Sequence, residues 1–465
     1  MQLGDLLDDC TMDVATSSIE ITNVQNDSRR CAAGSLFVAL PGASHDGLDY
    51  ARDAVARGAS CVVASTHVNV GVPVVTVPGS QLHALLSHVS ATIVGHPETK
   101  ARLVGVTGTN GKTSVTTMVA QLARALSWNA ATIGTLTNER TTPAPPELFR
   151  TLAKLVDEFD PANRHAVVAL EVSSHALDQR RVEGLRFQVV AFTNLSHDHL
   201  DYHGTMERYF AAKASLFHVE FAQRAVIWID DEYGERLAAL TELPVTPVSR
   251  NDARDVALAL SGTTFFWRGH LVNTKLLGSY NVDNALVAMT IMSALGAPDA
   301  LVAQAMGDVN PVDGRFNVLR GPSVTVVVDY AHTPDGLRRL LEDVRSLAPK
   351  SRVLTVFGCG GDRDRTKRPE MGAVASLLSD VTVVTSDNPR SESPDAIIDD
   401  VLEGVLEGRD VRREPDRRRA IELAIELAVA GDVVVIAGKG HETTQTIGQM
   451  STPFDDRVVA RENLK

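Results

Sequence analysis

Residues 108–114 read Gly-Thr-Asn-Gly-Lys-Thr-Ser, a grouping suited to binding phosphate. Glycines let backbone N–H groups turn toward an anion, a lysine neutralises it, and an adjacent hydroxyl can hold Mg2+. The spacing is irregular. A phosphate loop with four residues between its glycines needs glycine at 106, where this chain has Val106. Three further stretches could complete such a site. Glu171 ends the apolar run in "HAVVALEVS", where an acid can serve a metal, although a lone strand-end glutamate is more often an ordinary charge. "TNLSHDHLDYHG" places His197, Asp198, His199, Asp201 and His203 close together, which suits a metal or phosphate environment or simply a solvated loop. Lys213 follows on a helical stretch and by itself reads as a surface lysine.

These residues need strands and helices to aim them. "RLVGVTG" reads as a buried strand and "SVTTMVAQLARAL" as an amphipathic helix, so the glycine-rich turn joins a strand end to a helix N-terminus. The alternation continues through "FQVVAFTNLS" and "RAVIWID". It resumes in "GPSVTVVVDYAHTP", "RVLTVFGCGG", "DVTVVTSDNPR" and "GDVVVIAGKG". Strands alternating with helices predict mostly parallel sheets, with ligands gathering at the carboxyl ends of the strands. A first block, 1–98, mixes short apolar runs such as "GSLFVAL" with short helical patterns and ends near the linker-like "GHPETK". The chain is therefore expected to be α/β with three domains. These are a smaller N-terminal α/β domain at 1–98, a central P-loop-like domain with a mostly parallel sheet at 99–319, and a Rossmann-like C-terminal domain at 320–465.

Bulk properties bound the function. At 465 residues the chain exceeds one ordinary core. A formal charge of −13 argues against sequence-independent nucleic-acid binding, which needs a basic face. No uninterrupted apolar stretch approaches the roughly 18 residues of a membrane span. Four cysteines without metal spacing, and an acidic start without a signal-peptide pattern, predict a cytoplasmic protein with reduced thiols.

"TGTNGKTS", "EVSSHAL", "TNLSHDHLDYHG", "AAKASLF", "GSYNVDNAL", "DYAHTPD", "FGCGGDRDRTKRPEMG", "TSDNPR" and "AGKGHE" occur in this order across nearly the whole chain. Together they resemble the Mur ligases, whose phosphate loop is the shorter Gly-x-x-Gly-Lys-Thr form. The resemblance implies an ATP-dependent ligase that joins an amino acid to the D-Glu of UDP-MurNAc-L-Ala-D-Glu through an acyl phosphate. It assigns ATP binding to Gly108, Thr109, Asn110, Gly111, Lys112, Thr113, Ser114, Asn281, Asn284, Arg315 and Asp329, with His332 on the closing loop. It implies Mg2+ held by Thr113, Glu171, His199 and Lys213, the last carbamylated by CO2 to N6-carboxylysine. Lys112, Lys213, His199 and Glu171 are the implied catalytic set.

For the nucleotide-sugar peptide the resemblance implies Ser28, Arg29, Thr141, Thr142, Ser173, Gln179 and Arg181, with His45, Asp46 and Gly47 on a neighbouring loop. For the amine it implies Arg363, Asp387, Asn388, Pro389, Arg390, Gly438 and Glu442. Arg390 in "DNPR" matches the diaminopimelate-adding members. The physics agrees, because meso-diaminopimelate carries a second carboxylate that lysine lacks, and an arginine fork matches it. Use of L-lysine, and a folylpolyglutamate-synthetase-like ligase, are the alternative readings. A nucleotide-binding switch is a third, disfavoured because a switch has no need of His199 and Lys213. The enzyme is expected to act as a monomer. Asp313 stands where the family usually has proline, Asn317 where glutamate is common, and "GTLTNERTTP" is short; all three bear on interdomain or loop contacts.

Overall fold

The computed structural model describes every residue except Asp9, Thr11, Ala43, Ser44, His45, Glu139, Leu260 and Lys465; the candidate His45 therefore lies outside the described residues. Strands β1 (Asn23–Gln25), β2 (Ser35–Val38), β3 (Ala59–Ala64) and β4 (Val74–Thr76) form a parallel sheet in chain order.

The second sheet contains β5 (Arg102–Thr107), β6 (Asn129–Ile133), β7 (Ala166–Glu171), β8 (Val189–Phe192), β9 (Ala225–Trp228) and β10 (Val245–Val248). Its order is β10-β9-β8-β5-β7-β6, all parallel. Strands such as Ala166–Glu171 are buried on both faces, which is why they read as continuous apolar runs rather than alternating ones. The chain leaves β5 toward β7 and β6 on one side and returns to β8 on the other. The glycine loop after β5 therefore sits where the strand order reverses, the place at which open sheets leave a crevice. One face is covered by the helix Lys112–Ala125, whose Val115, Met118, Val119 and Leu122 share a core with Val282, Leu286 and Met289 of the helix Ser279–Ala294. That second helix is buried from Asn281 through Met292, and it is apolar on nearly all sides for that reason.

An antiparallel sheet of β11 (Ala253–Ala259), β12 (Gly262–Trp267) and β13 (His270–Thr274) follows, which the strand–helix rhythm does not predict. The contiguous Phe265-Phe266-Trp267 hides its period: Phe265 and Trp267 are buried in the core while Phe266 is exposed.

The last large sheet has the order β14-β15-β19-β16-β17-β18. It comprises β14 (Asn317–Arg320), β15 (Thr325–Asp329), β16 (Val353–Phe357), β17 (Val381–Val384), β18 (Val411–Arg413) and β19 (Val433–Ala437). Only β14 runs antiparallel to its neighbour. Since β14 starts at Asn317, the expected boundary at 319/320 falls inside a strand. A hairpin, β20 (Thr444–Ile447) and β21 (Met450–Pro453), extends past the carboxyl ends. Among the described residues no helix is long and apolar enough to cross a membrane.

Candidate active site

The glycine loop is shaped by close packing. Gly108 has φ +149°, and a Cβ there would lie 2.0 Å from Thr193 Oγ1. Gly111 has φ +87°, and its Cβ would lie 2.4 Å from Asn284 Oδ1. Both positions admit only glycine. The end of β8 supports the loop: Asn194 accepts the Thr109 N–H on its carbonyl (2.9 Å) and the Asn110 N–H on Oδ1 (3.0 Å), while Thr193 Oγ1 donates to Asn110 O (2.6 Å). Lys112 Nζ donates to the loop's own carbonyls at Gly108 (2.9 Å) and Thr109 (2.8 Å).

Thr113 Oγ1 donates to Glu171 Oε2 at 2.8 Å, and Glu171 also accepts the Thr135 N–H at 2.8 Å. A hydroxyl beside a buried carboxylate, at the mouth of a phosphate loop, fits Mg2+, which takes few protein oxygens and completes its shell with phosphate and water. Lys213 is 1 % exposed, donates to Gly108 O at 2.7 Å and lies 4.6 Å over the Tyr209 ring. Among the described residues no carboxylate pairs with it. Burial, and then the neighbouring Lys112 cation, hold its ammonium well below the usual lysine range. As an ammonium it is no metal ligand; a carbamate on the same nitrogen would present carboxylate-like oxygens. His199 is pushed down to about 3 by burial, with Asp198 opposing, so its imidazole is neutral and able to ligate. Among the described residues no three His, Cys, Asp or Glu side chains converge as a ready metal cage. The donor set thus fits a metal that substrate oxygens help to hold.

Lys367 carries no distinctive sequence signal, although its partner Asp198 lies in the His- and Asp-rich loop noted above. Asp198 is buried and receives Lys367 Nζ at 3.0 Å, with His199 at 3.4 Å and His332 at 3.7 Å. Burial raises its carboxyl, but Lys367 and then His332 outweigh it and hold the group well below the ordinary range. Lys367 begins the helix Lys367–Leu378 between β16 and β17 of the last large sheet, so this pair bridges the second sheet and that one. Nothing in "DRTKRPE" marks that lysine as buried. His197 bridges the same gap to Asp364 (3.1 Å) and Thr366 (3.0 Å).

A small recess of about 60 Å³ beside the loop is lined by Ser114, Asn284, Arg315 and Asp329 among others. Arg315 lies 4.3 Å over the Tyr330 ring and reaches Thr113 Oγ1 at 3.4 Å. Asp329 accepts from the Phe316 N–H, the Tyr280 hydroxyl and the Ala331 N–H, so it ties the end of β15 in the last large sheet to the helix Ser279–Ala294 that packs on the second sheet. Asn281 donates to Leu277 O at 2.8 Å and is buried. Of the two single-residue departures, Asp313 pairs with Arg457 at 3.4 Å, whereas Asn317 leaves its buried Oδ1 without a partner.

A cavity of about 940 Å³ opens between the first sheet and the helix Pro145–Asp157, lined by Ser28, Arg29, Gly47, Tyr50, Arg140 and Arg150 among others. Ser28 Oγ donates to Asp53 at 2.7 Å and the exposed Arg29 pairs with Asp27 at 2.7 Å; Asp46 accepts the Leu48 N–H. Arg140 and Arg150 escaped the sequence reading because nothing local distinguishes them from surface arginines. Thr141 faces the central cleft. Thr142 is 1 % exposed; its hydroxyl donates to Glu171 O (2.8 Å) and accepts the Ser173 N–H (3.0 Å). Arg181 donates to Thr142 O (2.8 Å) and to Gln179 Oε1 (2.6 Å), tying these residues together.

The central cleft, about 370 Å³, has Lys112, Thr113, Glu171, His199 and Lys213 on one wall and Arg363, Asp387, Asn388, Arg390, Gly438 and Glu442 on the other. Arg390 has φ +51° and donates to Gly361 O at 2.7 Å. Burial, then the nearby Arg363, lower its pKa, so two cations crowd a site that an anion would relieve. Pro389 O presses on Gly361, where a Cβ would lie 1.9 Å away. Asn388 Nδ2 (2.8 Å) and Lys439 Nζ (2.9 Å) both donate to Glu442 Oε2. Burial raises Glu442, but Lys439 outweighs it and keeps the carboxylate ionised. The Asp387 carboxyl is raised by burial and packs against Gly438, whose Cβ would lie 2.5 Å from it. One wall thus suits phosphate and metal chemistry, and the opposite wall offers two guanidinium groups and a carboxylate for a zwitterionic ligand.

Comparison with known proteins accords with this arrangement. Residues 20–105 match the description "Mur ligase family, catalytic domain", residues 106–292 "Mur ligase middle domain" and residues 314–440 "Mur ligase, glutamate ligase domain". The chain is 42% identical over 488 residues to a Gloeobacter violaceus protein named UDP-N-acetylmuramoyl-L-alanyl-D-glutamate--2,6-diaminopimelate ligase, covering 100% of this chain and 98% of that one. A Geobacillus kaustophilus protein of the same name is 44% identical over 474 residues, covering 96% and 95%. A solved structure of a ligase so named superimposes with a TM-score of 0.68 at 31% identity, covering 100% and 98%. The chain belongs to the Mur ligase family.

Proposed function

We propose that the protein is a cytoplasmic, ATP-dependent ligase that joins meso-diaminopimelate to the D-Glu of UDP-MurNAc-L-Ala-D-Glu. The observation that carries this reading is the single cleft in which the phosphate loop and its metal donors face Arg363, Arg390 and Glu442. The names of its relatives support it.

In this mechanism the cavity by Ser28 and Arg29 holds the uridine diphosphate end, and Thr141, Ser173, Gln179 and Arg181 guide the peptide toward Glu171 and Lys213. An oxygen of the D-Glu carboxylate attacks the γ-phosphorus of ATP, ADP leaves, and an acyl phosphate forms. The diaminopimelate amine then attacks the acyl carbon, releasing phosphate and losing a proton as the amide forms. The first step brings two anions together. At about 4 Å their repulsion is roughly 4 kcal/mol at an effective dielectric near 20. Bound Mg2+ would neutralise that charge. Thr113, Glu171 and His199 would be its donors, joined by Lys213 once its neutral amine had added CO2 and lost a proton to become a carbamate. Lys112 leaves its loop carbonyls to meet the γ-phosphate. Asn281, Asn284, Arg315 and Asp329 frame the nucleotide. Arg363 and Arg390 take the carboxylates of diaminopimelate, while Asn388 and Glu442 take its ammonium, and Asp387, Pro389 and Gly438 shape the same wall. The proposed active unit is a monomer.

Phosphate release is measured with UDP-MurNAc-L-Ala-D-Glu and ATP, adding diaminopimelate, lysine or neither. Release is expected with diaminopimelate. No turnover with any amine refutes the assignment, and turnover with lysine alone refutes the specificity.

A further inference from the structure

The groups facing the amine sit on two loops that the sheet does not join directly. Asp387-Asn388-Pro389-Arg390 follows β17, whereas Gly438 to Glu442 follows β19, and β16 lies between those strands. The ladder from β16 to β19 ends at Ile436 and that to β17 at Val384, so both loops begin beyond the last paired residue.

Beneath them lies Arg417, the first residue of the helix Arg417–Leu427, 1 % exposed and with its side chain wholly buried. Its guanidinium donates through Nη1 to Ser386 O (3.1 Å) and through Nη2 to Ala437 O (2.9 Å). These carbonyls immediately precede Asp387 and Gly438. Asp456, itself fully buried, accepts from Nε (2.8 Å) and Nη2 (2.7 Å) and so sets the orientation of the fork. One planar cation thus spans the gap above β16 and holds the starts of both loops. The Asn388–Glu442 hydrogen bond (2.8 Å) requires the two loops to be in register.

We propose that Arg417, oriented by Asp456, is a positioning residue for the amine substrate, setting the distance between the Asp387–Arg390 and Gly438–Glu442 loops. The proposal rests on the diaminopimelate-ligase reading given above. A merely stabilising ion pair could be replaced by apolar side chains of similar volume with little loss. A two-carbonyl clamp could not, because the planar fork of donors is lost, and lysine does not reproduce it.

Arg417→Lys and the paired Arg417→Met/Asp456→Leu variant are compared with the unaltered enzyme well below their unfolding midpoints. Both should raise KM for diaminopimelate about tenfold or more, as expected for a displacement of ångström scale. KM for ATP and for UDP-MurNAc-L-Ala-D-Glu should stay within about twofold, since those sites lie on other loops. The paired variant leaves the Ser386 and Ala437 carbonyls without that donor, so it should melt below the unaltered enzyme yet remain folded at the assay temperature. A folded paired variant with unchanged KM for diaminopimelate overturns the proposal, as does an equal rise for all three substrates. Failure of both variants to fold also overturns it, because Arg417 would then be a folding determinant. If the unaltered enzyme ligates no diaminopimelate, it is the functional reading that fails.

Discussion

Thr142→Val separates a structural staple from a substrate contact. The Thr142 hydroxyl sits at 1 % exposure between the Glu171 carbonyl (2.8 Å) and the Ser173 N–H (3.0 Å). Valine keeps the shape but deprives both backbone groups of that partner. Each deprived group costs about 1–3 kcal/mol, reduced where the backbone relaxes toward another partner. The added methyl returns about 0.8 kcal/mol. The net loss is about 2 kcal/mol, which lowers Tm by about 4–8 °C for a domain of this size. Because Glu171 accepts Thr113 and Thr135 through its side chain, movement of this strand end also disturbs the proposed metal donors. Thermal unfolding and steady-state kinetics are run together on Thr142→Val and Thr142→Ser. The valine variant should lose both stability and kcat, while serine, which keeps the hydroxyl, should remain near the unaltered enzyme. If valine leaves Tm unchanged and raises only KM for UDP-MurNAc-L-Ala-D-Glu, the staple argument is wrong and Thr142 contacts substrate.

Three other expectations follow from the same geometry. Lys213→Ala should lower activity by about 100-fold and regain part of it with acetate or propionate; absence of both rescue and a carbamate resonance in 13CO2-equilibrated enzyme would count against carbamylation. Arg390→Ala removes a charged donor worth about 1.5–3 kcal/mol, so KM for diaminopimelate should rise roughly 10- to 150-fold with little change for ATP. An equal rise for both would assign Arg390 to the fold alone. His441 is pushed down to about 4 by burial and then by Arg315, with Glu442 and Asp313 opposing and Arg457 adding to the shift. Its folded pKa lies below the unfolded value near 6.5, so the unfolded chain binds more protons between these values and stability falls as pH drops through that window. Between pH 7 and 5 this amounts to at most about 2 kcal/mol. His441→Gln should therefore show a flatter Tm profile over that range, and identical profiles would refute the link.

Much of this molecule can be read along its chain. The parallel strands announce themselves as apolar runs because both sheet faces are covered, and the glycine loop is legible because only glycine tolerates φ +149° at Gly108 and φ +87° at Gly111. The antiparallel strands Gly262–Trp267 and His270–Thr274 are not so legible, since adjacent aromatics obscure which face is buried. The motif order also carries the family, and with it Arg390, the arginine proposed to bind the amine substrate's carboxylate. What sequence alone could not decide is which charged side chains leave the surface. Lys213, Lys367 and Arg417 look like ordinary helix cations, yet folding buries all three, against Gly108 O, Asp198 and Asp456 respectively. Their partners lie from 39 to 169 residues away. Local patterning records the period of a helix or strand. A buried charge depends on the carbonyl or carboxylate brought to it by a distant segment, and only the tertiary structure supplies that.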